Sequence, residues 1–245
     1  MRGERLVLHD LTLRIDVGEH VAILGPNGCG KSTLVKTLTR ECYPLARSGS
    51  SVRLFGREVW NVFELRSLLG IVANDFRTPE RSISGLEMVL SGFFSSVGIW
   101  PHQEVTGHME RKALKALSQL EAAHLAERSY GELSSGEARR ILIARALVHS
   151  PKALLLDEPT TSLDLFAQHE LRETMRTLAQ GGIAILLVTH HLSDIIPEIG
   201  RVVLMKAGRI VADGPKNELL APAPIESLFG VRVDFSERDG YVHAW

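Results

Sequence analysis

Nine residues of the sequence, GPNGCGKST (Gly25–Thr33), have the types and the spacing needed to bind phosphate groups. They fill every position of the pattern G-x-x-x-x-G-K-[ST], in which glycines let backbone N–H groups turn toward phosphate oxygens. Lys31 can reach the terminal phosphates, and the Ser32 hydroxyl can be a ligand of Mg²⁺. A plain glycine-rich turn before a helix is the alternative. The predicted nucleotide contacts are Gly25, Pro26, Asn27, Gly28, Cys29, Gly30, Lys31, Ser32 and Thr33.

Two acidic residues and a histidine, each at the end of an apolar run, could complete a catalytic site. Asp157 and Glu158 follow the run ALLL, and His190 follows ILLVT. We expect Asp157 to hold the Mg²⁺ ion and Glu158 to polarise an attacking water molecule. His190 can donate a hydrogen bond to a γ-phosphate or to that water. Each group alone is more often structural, so this prediction depends on their pairing with the phosphate loop.

A second stretch, LSSGEARRILIARAL (Leu133–Leu147), begins with two serines and a glycine directly before a helical pattern. Backbone N–H groups at such a helix start attract anions, so this is a second potential phosphate-binding end. Ser134 could also serve only as the cap of its own helix, and the two roles are compatible.

The segments around these residues predict a parallel α/β sheet. Glu19–Leu24 (EHVAIL) predicts a short strand before the phosphate loop, and KSTLVKTL predicts a helix after it. Ala153–Pro159 and Ile183–His190 have the continuous apolar runs typical of strands buried on both faces. Because the carboxyl ends of parallel strands meet at one edge, we expect the phosphate loop, the acidic pair and His190 to converge there.

The rest of the chain predicts additions to this sheet within one domain. Residues 84–150 contain helical stretches and no comparable strand, which indicates an inserted helical subdomain. RVVLMKAGRIVADG (201–214) predicts two strands around a turn, and PKNELLAPAPIESLFG (215–230) predicts a helical tail. The predicted single domain over 1–245 comprises a nucleotide-binding core (1–83 and 151–220), the helical subdomain (84–150) and a C-terminal tail (221–245).

The amino-acid composition limits which partners the protein can bind and which cellular compartment suits it. The chain has 245 residues, of which 44% are hydrophobic, and a formal net charge of -1. This balance gives no field that would attract nucleic acid or an anionic membrane surface, and we expect no nucleic-acid partner. Two cysteines form no disulfide framework, which favours a cytoplasmic location. Cys29, at a helix N-terminus, is expected to have a lowered thiol pKa.

Taken in order, five motifs resemble those of ATP-binding-cassette (ABC) ATPases. GPNGCGKST, LSSGEARRILIARAL, ALLLDEPT, SLD (Ser162–Asp164) and VTHH correspond to the phosphate loop, signature motif, acidic strand end, D-loop and switch histidine. The resemblance extends over nearly the whole chain. It implies a P-loop NTPase cassette with a mostly parallel core sheet, a small antiparallel β subdomain and an inserted helical subdomain. It also implies that the protein binds ATP and Mg²⁺ and hydrolyses ATP.

The same resemblance explains why one chain carries two phosphate-binding ends. In this family two cassettes associate head to tail, and the signature motif of one covers the γ-phosphate bound by the other. A homodimer with two composite sites is therefore implied, with Asp164 at the dimer seam. The residues implied to contact the partner's nucleotide are Ser134, Ser135, Gly136 and Glu137.

Three positions depart from the family pattern. Ser135 replaces the first glycine of the usual Leu-Ser-Gly-Gly-Gln signature, and Glu137 stands where the family most often has glutamine. Asn74 aligns with the Q-loop glutamine, which approaches Mg²⁺ and relays motion to the transporter. We retain Asn74 as a nucleotide-site residue, although its amide is one methylene shorter.

The family resemblance also implies partners. LEMVLSGFFSSVGIW (86–100) lies where the family receives a membrane subunit, so Phe93, Phe94, Ile99 and Trp100 could form a docking patch or, alternatively, helical core. This stretch looks most like a molybdenum-transporter-like import branch. We therefore expect a transporter ATPase that powers a separate permease at the inner face of the membrane, together with a substrate-binding protein.

Two other functions remain open at this point. One is a soluble cassette with an assembly or regulatory role and no membrane partner. The other is a DNA-end-binding ATPase, which is disfavoured because long heptad repeats between the two half-sites are missing.

Overall fold

A six-stranded sheet forms the centre of the protein. The structure is a computed structural model that describes residues 6–45, 49–73 and 82–245. The strands are β1 (Val21–Leu24), β2 (Leu69–Val72), β3 (Ala153–Asp157), β4 (Ala184–Thr189), β5 (Arg201–Lys206) and β6 (Arg209–Pro215). Their order across the sheet is β2-β3-β4-β1-β5-β6, and only the β5–β6 pair is antiparallel. The predicted α/β class with a mostly parallel sheet is confirmed.

The register of the sheet brings the ends of three strands together. Leu24 at the end of β1 pairs with Thr189 at the end of β4, and Asp157 at the end of β3 pairs with Val188. The phosphate loop, the acidic pair and His190 therefore begin from one edge of the sheet. All four residues of β1 are buried, as expected for a strand covered on both faces.

Helices cover both faces of the sheet. They are α1 (Lys31–Leu38), α2 (Val62–Leu68), α3 (Gly85–Leu90), α4 (Gly107–Gln119), α5 (Ser135–Leu147), α6 (Leu165–Gln180), α7 (Lys216–Leu219) and α8 (Pro222–Phe229). Alternate residues of β1 face opposite ways: Ala22 and Leu24 contact the core cluster that includes α3 to α6, and Val21 and Ile23 contact the cluster that includes α1 and α2.

The helix boundaries follow local capping signals. Side-chain oxygens of Ser84, Thr106, Ser134 and Asp164 accept a backbone N–H from the residue three positions later, which begins α3, α4, α5 and α6. Within the helical region, α5 packs against both α3 and α4. None of the described helices combines the length and apolar character that crossing a bilayer requires.

The C-terminal residues contain a hairpin that the sequence pattern did not predict. Strands β7 (Phe235–Arg238) and β8 (Tyr241–Ala244) pair antiparallel and form the separate small sheet. The hairpin predicted around the turn KAGR is present as β5 and β6, but its strands extend the main sheet. Alternation is weak in β7, where three of four residues are exposed, so the periodic pattern was too short to indicate a strand.

Candidate active site

The phosphate loop connects β1 to α1 through two residues with a left-handed backbone. Gly28 has φ 78° and Gly30, the N-cap of α1, has φ 108°, values that glycine adopts without the steric cost of a side chain. Gly25 is required for another reason, because a Cβ atom there would lie 2.3 Å from the backbone oxygen of Met205 on β5. The loop is therefore held tightly against the sheet edge.

Lys31 is folded into the loop that it follows. Its side chain is 6% exposed, and its Nζ donates to the backbone oxygens of Gly25 at 2.7 Å and Pro26 at 3.3 Å. The same Nζ lies 3.2 Å from Glu158 Oε1, so an ion pair connects the phosphate loop to the end of β3. One cation and one carboxylate thus occupy the centre of the predicted site.

Glu158 contacts the predicted phosphate-binding lysine and the predicted catalytic histidine. Its Oε1 faces Lys31, and its Oε2 forms a short hydrogen bond with His190 Nδ1. Its backbone has φ 49°, a left-handed conformation that is uncommon for a residue with a side chain. The Glu158 backbone N–H donates to Val188 O at 2.8 Å, which ties this turn to β4.

The rings of His190 and its neighbour His191 lie close together, with their centroids 3.8 Å apart and tilted by 42°. The His190 side chain is 26% exposed, so it can reach a ligand that enters the site. Lys31, Glu158 and His190 come from three different segments of the chain. In the structure Lys31 and His190 each contact Glu158 directly.

Asp157 and Ser32 offer oxygen ligands beside this group. Ser32, the second residue of α1, is exposed, and Asp157 is the last residue of β3. A hydroxyl and a carboxylate suit Mg²⁺, which prefers oxygen ligands and keeps phosphate and water in its remaining positions. No group of three or more His, Cys, Asp or Glu side chains suited to a metal occurs within residues 6–45, 49–73 and 82–245. The donors fit a metal shared with phosphates.

The buried position of Cys29 contradicts the expectation of a reactive thiol. Its side chain is 5% exposed and packs in the core cluster that contains α1 residues Leu34 and Val35. Burial raises the pKa of the Cys29 thiol, and this effect outweighs the nearby Lys31 charge. The prediction of a lowered pKa was therefore wrong, because desolvation of the buried thiol exceeds the stabilisation that the Lys31 charge and the backbone N–H groups of Cys29 and Lys31 give to a thiolate.

The signature stretch forms a closed capping box at the start of α5. The Ser134 hydroxyl accepts from the Glu137 N–H at 3.2 Å, and Glu137 Oε2 accepts from the Ser134 N–H at 2.8 Å. Glu137 Oε1 also pairs with Arg128 at 2.5 Å. The Ser134 N–H, with Arg128, lowers the pKa of the Glu137 carboxyl. Capping by Ser134 is thus observed, and Arg128 is a contact that the sequence analysis missed.

A cleft of about 450 Å³ lies between the signature stretch and the first turns of α6. Ser134, Ser135, Gly136, Glu137 and Asp164 all line it. Asp164 is the N-cap residue of α6. Its Oδ1 accepts a hydrogen bond from the Ala167 N–H at 2.8 Å, which fixes the turn before α6. The structure therefore groups the predicted signature residues with the predicted seam residue.

The remaining predicted positions differ in their exposure to solvent. Phe93 and Ile99 pack against the helical core, which agrees with the core alternative for these two residues. Trp100 is 57% exposed, and Phe94 is half-buried. Asn74 lies outside the described residues.

Comparison with known proteins decides the family. The family model described as ABC transporter matches residues 8–161. The chain belongs to the ABC transporter family. The match includes the phosphate loop, the signature stretch and the acidic end of β3.

Relatives of this ABC cassette include transporter subunits of similar length. A hemin import ATP-binding protein of Aliivibrio fischeri is 35% identical over 235 residues, which cover 93% of this chain and 86% of the relative. A solved inward-facing structure of a putative metal-chelate type ABC transporter superposes with a TM-score of 0.78 at 27% identity, covering 97% of this chain and 88% of that one.

A dimeric structure of a bacterial ABC transporter cassette superposes with a TM-score of 0.69 at 25% identity, covering 87% of this chain and 93% of that one. These comparisons confirm the cassette fold and the ATPase. The protein is the ATP-binding and ATP-hydrolysing subunit of an ABC transporter and powers a separate membrane permease. The comparisons give no support to the alternative of a cassette without a transport role.

Proposed function

We propose that Lys31 and His190 contact the terminal phosphates of ATP and that Glu158 orients the water molecule that attacks the γ-phosphorus. The contact of Glu158 with both Lys31 and His190 is the observation that supports this assignment most directly. A triphosphate that enters the loop meets the Lys31 ammonium group, which leaves Glu158 for the phosphate oxygens. Glu158 is then free to accept a hydrogen bond from a water molecule and orient it toward the γ-phosphorus.

His190 serves as the second contact to the reacting phosphate. Its Nδ1 is hydrogen-bonded to Glu158, so the ring is held in one orientation and its Nε2 is available to the γ-phosphate or to the water. The attack breaks the bond between the γ-phosphorus and the bridging oxygen, and the products are ADP and phosphate. Lys31 remains with the phosphates and offsets the negative charge that develops on them.

Ser32 and Asp157 are proposed as the side-chain ligands of Mg²⁺, and the other loop residues as phosphate and nucleotide contacts. When bound, the ion would supply positive charge that offsets the negative charge of the phosphates. The backbone N–H groups between Gly25 and Thr33 supply neutral donors to the same oxygens. Asn74 is retained as a proposed site residue on the sequence resemblance alone.

We propose that the signature cleft binds the nucleotide of a second copy of the chain. Support comes from the dimeric cassette among the similar structures and from the position of Asp164 in the same cleft. Ser135 and Gly136 present backbone N–H groups, and Ser134 and Ser135 present hydroxyls, at the start of α5, where the helix dipole favours an anion. Glu137 contributes by closing the capping box.

The wider assignment follows from the relatives. We propose one domain with a nucleotide-binding core (1–83 and 151–220), a helical subdomain (84–150) and a tail (221–245), bound peripherally to a permease on the cytoplasmic side. Exposed Trp100 belongs to the proposed permease contact. A metal complex is the proposed cargo class, supported by two similar proteins, the hemin import protein and the metal-chelate type transporter.

A substrate-binding protein completes the proposed importer. Uptake assays with hemin and with the oxyanion molybdate, on the reconstituted transporter, distinguish a metal-complex cargo from a molybdenum-type cargo. The molybdenum-type assignment requires that molybdate, and not hemin, stimulate ATP hydrolysis.

The substitution Glu158→Gln tests the proposed site. We expect ATP hydrolysis to fall by about 100-fold or more because the carboxylate that orients water is lost. MgATP should then convert the variant to a dimer, seen as a shift in size-exclusion chromatography. Glu158→Gln combined with Ser134→Arg is the control, since a bulky cation in the signature cleft should keep the chain monomeric. Full hydrolysis by Glu158→Gln contradicts the catalytic role, and a dimer that forms equally in the double variant contradicts the signature role.

A further inference from the structure

Asp194 is a buried acid that connects the two turns carrying Glu158 and His190. It ends the short helical turn Leu192–Asp194 and is 1% exposed. One oxygen, Oδ2, accepts hydrogen bonds from two hydroxyls, Thr160 Oγ1 at 2.7 Å and Thr189 Oγ1 at 2.6 Å. These threonines lie on different segments, after β3 and at the end of β4.

The two threonines are placed next to the residues of the proposed reaction. Thr160 follows Glu158 by two positions, and Thr189 directly precedes His190. Both are buried, at 2% and 0% exposure. Thr189 Oγ1 also accepts a hydrogen bond from the backbone N–H of His191 at 3.0 Å. The residues directly before and directly after His190 are therefore both part of the hydrogen-bonded network.

Burying this carboxylate is unfavourable unless its hydrogen bonds are made. Burial raises the pKa of Asp194, while the hydroxyls of Thr189 and Thr160 and the charges of His191 and Arg172 oppose that effect. The two hydroxyls replace water as hydrogen-bond partners of the buried oxygen. The distances between Asp194 and the two threonines can therefore vary little without loss of a hydrogen bond. A shift of either turn would break a buried hydrogen bond.

We propose that Asp194 is a positioning residue that holds Glu158 and His190 in register for ATP hydrolysis. The left-handed backbone of Glu158, at φ 49°, persists only where surrounding contacts maintain it. Besides its backbone hydrogen bond to Val188, the turn is tied down by Thr160 through Asp194. The inference rests on the catalytic roles proposed above for Glu158 and His190, which the Glu158→Gln experiment tests separately.

The kinetic signature of this role is a change in kcat with little change in nucleotide affinity. Asp194→Ala removes the shared acceptor and releases both turns, while the hydrogen bonds of Lys31 to Gly25 and Pro26 within the phosphate loop are retained. A displacement of about 1 Å in a catalytic group can cost about 100-fold in rate. We expect kcat to fall by about 10- to 100-fold and the KM for ATP to change by less than about threefold.

Rescue by the matched amide separates positioning from charge. In Asp194→Asn, one carbonyl oxygen with two lone pairs can accept both threonine hydroxyls. We expect Asp194→Asn to retain kcat within about threefold of the parent. Equal losses in the alanine and asparagine variants would overturn the proposal, as would a loss in Asp194→Ala that lies entirely in KM.

Smaller variants keep the test valid if Asp194→Ala does not fold. Thr160→Val removes one donor, and Thr160→Ser restores it, so kcat should fall in the first and recover in the second. Glu198→Gln is the control, because Glu198 pairs with Arg176 and Gln180, away from the threonines. A kcat unchanged in Thr160→Val, or lowered equally in Glu198→Gln, would refute a positioning role for this cluster.

Discussion

The ion pair between Lys31 and Glu158 should compete with nucleotide. In the structure the Lys31 ammonium group is paired with Glu158 Oε1 at 3.2 Å, so phosphate oxygens must replace that partner. Substituting Glu158→Gln keeps the size of the side chain and removes its charge. We therefore expect Glu158→Gln to bind MgADP more tightly than the parent. ADP is the better probe because it cannot be hydrolysed and has no γ-phosphate to promote dimerisation.

The magnitude follows from the distance between the charges. For opposite charges 3.2 Å apart, Coulomb's law gives about 1.3 kcal/mol in a water-like dielectric and about 5 kcal/mol at an effective dielectric of 20. The larger value is not fully released, because the glutamine dipole and the carbonyls of Gly25 and Pro26 still contact Lys31. We take the lower value, which corresponds to about tenfold tighter binding.

A fluorescent ADP analogue titrated with Mg²⁺ present measures this difference. Glu218→Gln on the exposed helix α7 is the matched control, since it removes the same charge away from the phosphate loop. We expect its affinity to remain within about twofold of the parent. Affinity for MgADP that is unchanged or weaker in Glu158→Gln would show that the ion pair does not compete with phosphate.

Three further predictions concern reactivity and stability. Maleimide should label Cys42 first, because burial raises the pKa of Cys29 and covers it; a fast phase that survives in Cys42→Ser would contradict this. Burial lowers the pKa of His149, so the unfolded chain takes up a proton at higher pH than the folded chain, and stability is lost as pH falls below the ordinary histidine pKa of about 6.5. Thermal melts should show a smaller loss in His149→Gln, and an equal loss would exclude this contribution. Ser134→Ala should lower the free energy of unfolding by about 1 kcal/mol in urea titrations, with Ser134→Thr close to the parent; equal stability of alanine and parent would mean that the cap is not stabilising.

The sequence predicted those parts of the fold that depend on contiguous patterns. The helix predicted from KSTLVKTL corresponds to α1, and the apolar runs before Asp157 and His190 are β3 and β4. Each is a local signal of burial on both faces or of helical spacing, so no distant contact was needed to recognise it. The β7–β8 hairpin was missed because its exposed residues carry little periodicity and its stability comes from contacts with the rest of the chain.

The sequence alone was enough to recognise four motifs in order: the phosphate loop, the signature stretch, the acidic pair and the histidine. Each of these motifs needs specific residues at short spacing, so no tertiary contact was required to find it. Only the tertiary structure decided which groups touch. Glu158 contacts Lys31 across 127 positions of the chain and His190 across 32, and Asp194 reaches Thr160 across 34. The inward direction of the Cys29 side chain was decided in the same way. Such contacts depend on strand register and on the cost of burying polar atoms, which are properties of the folded chain rather than of neighbouring residues.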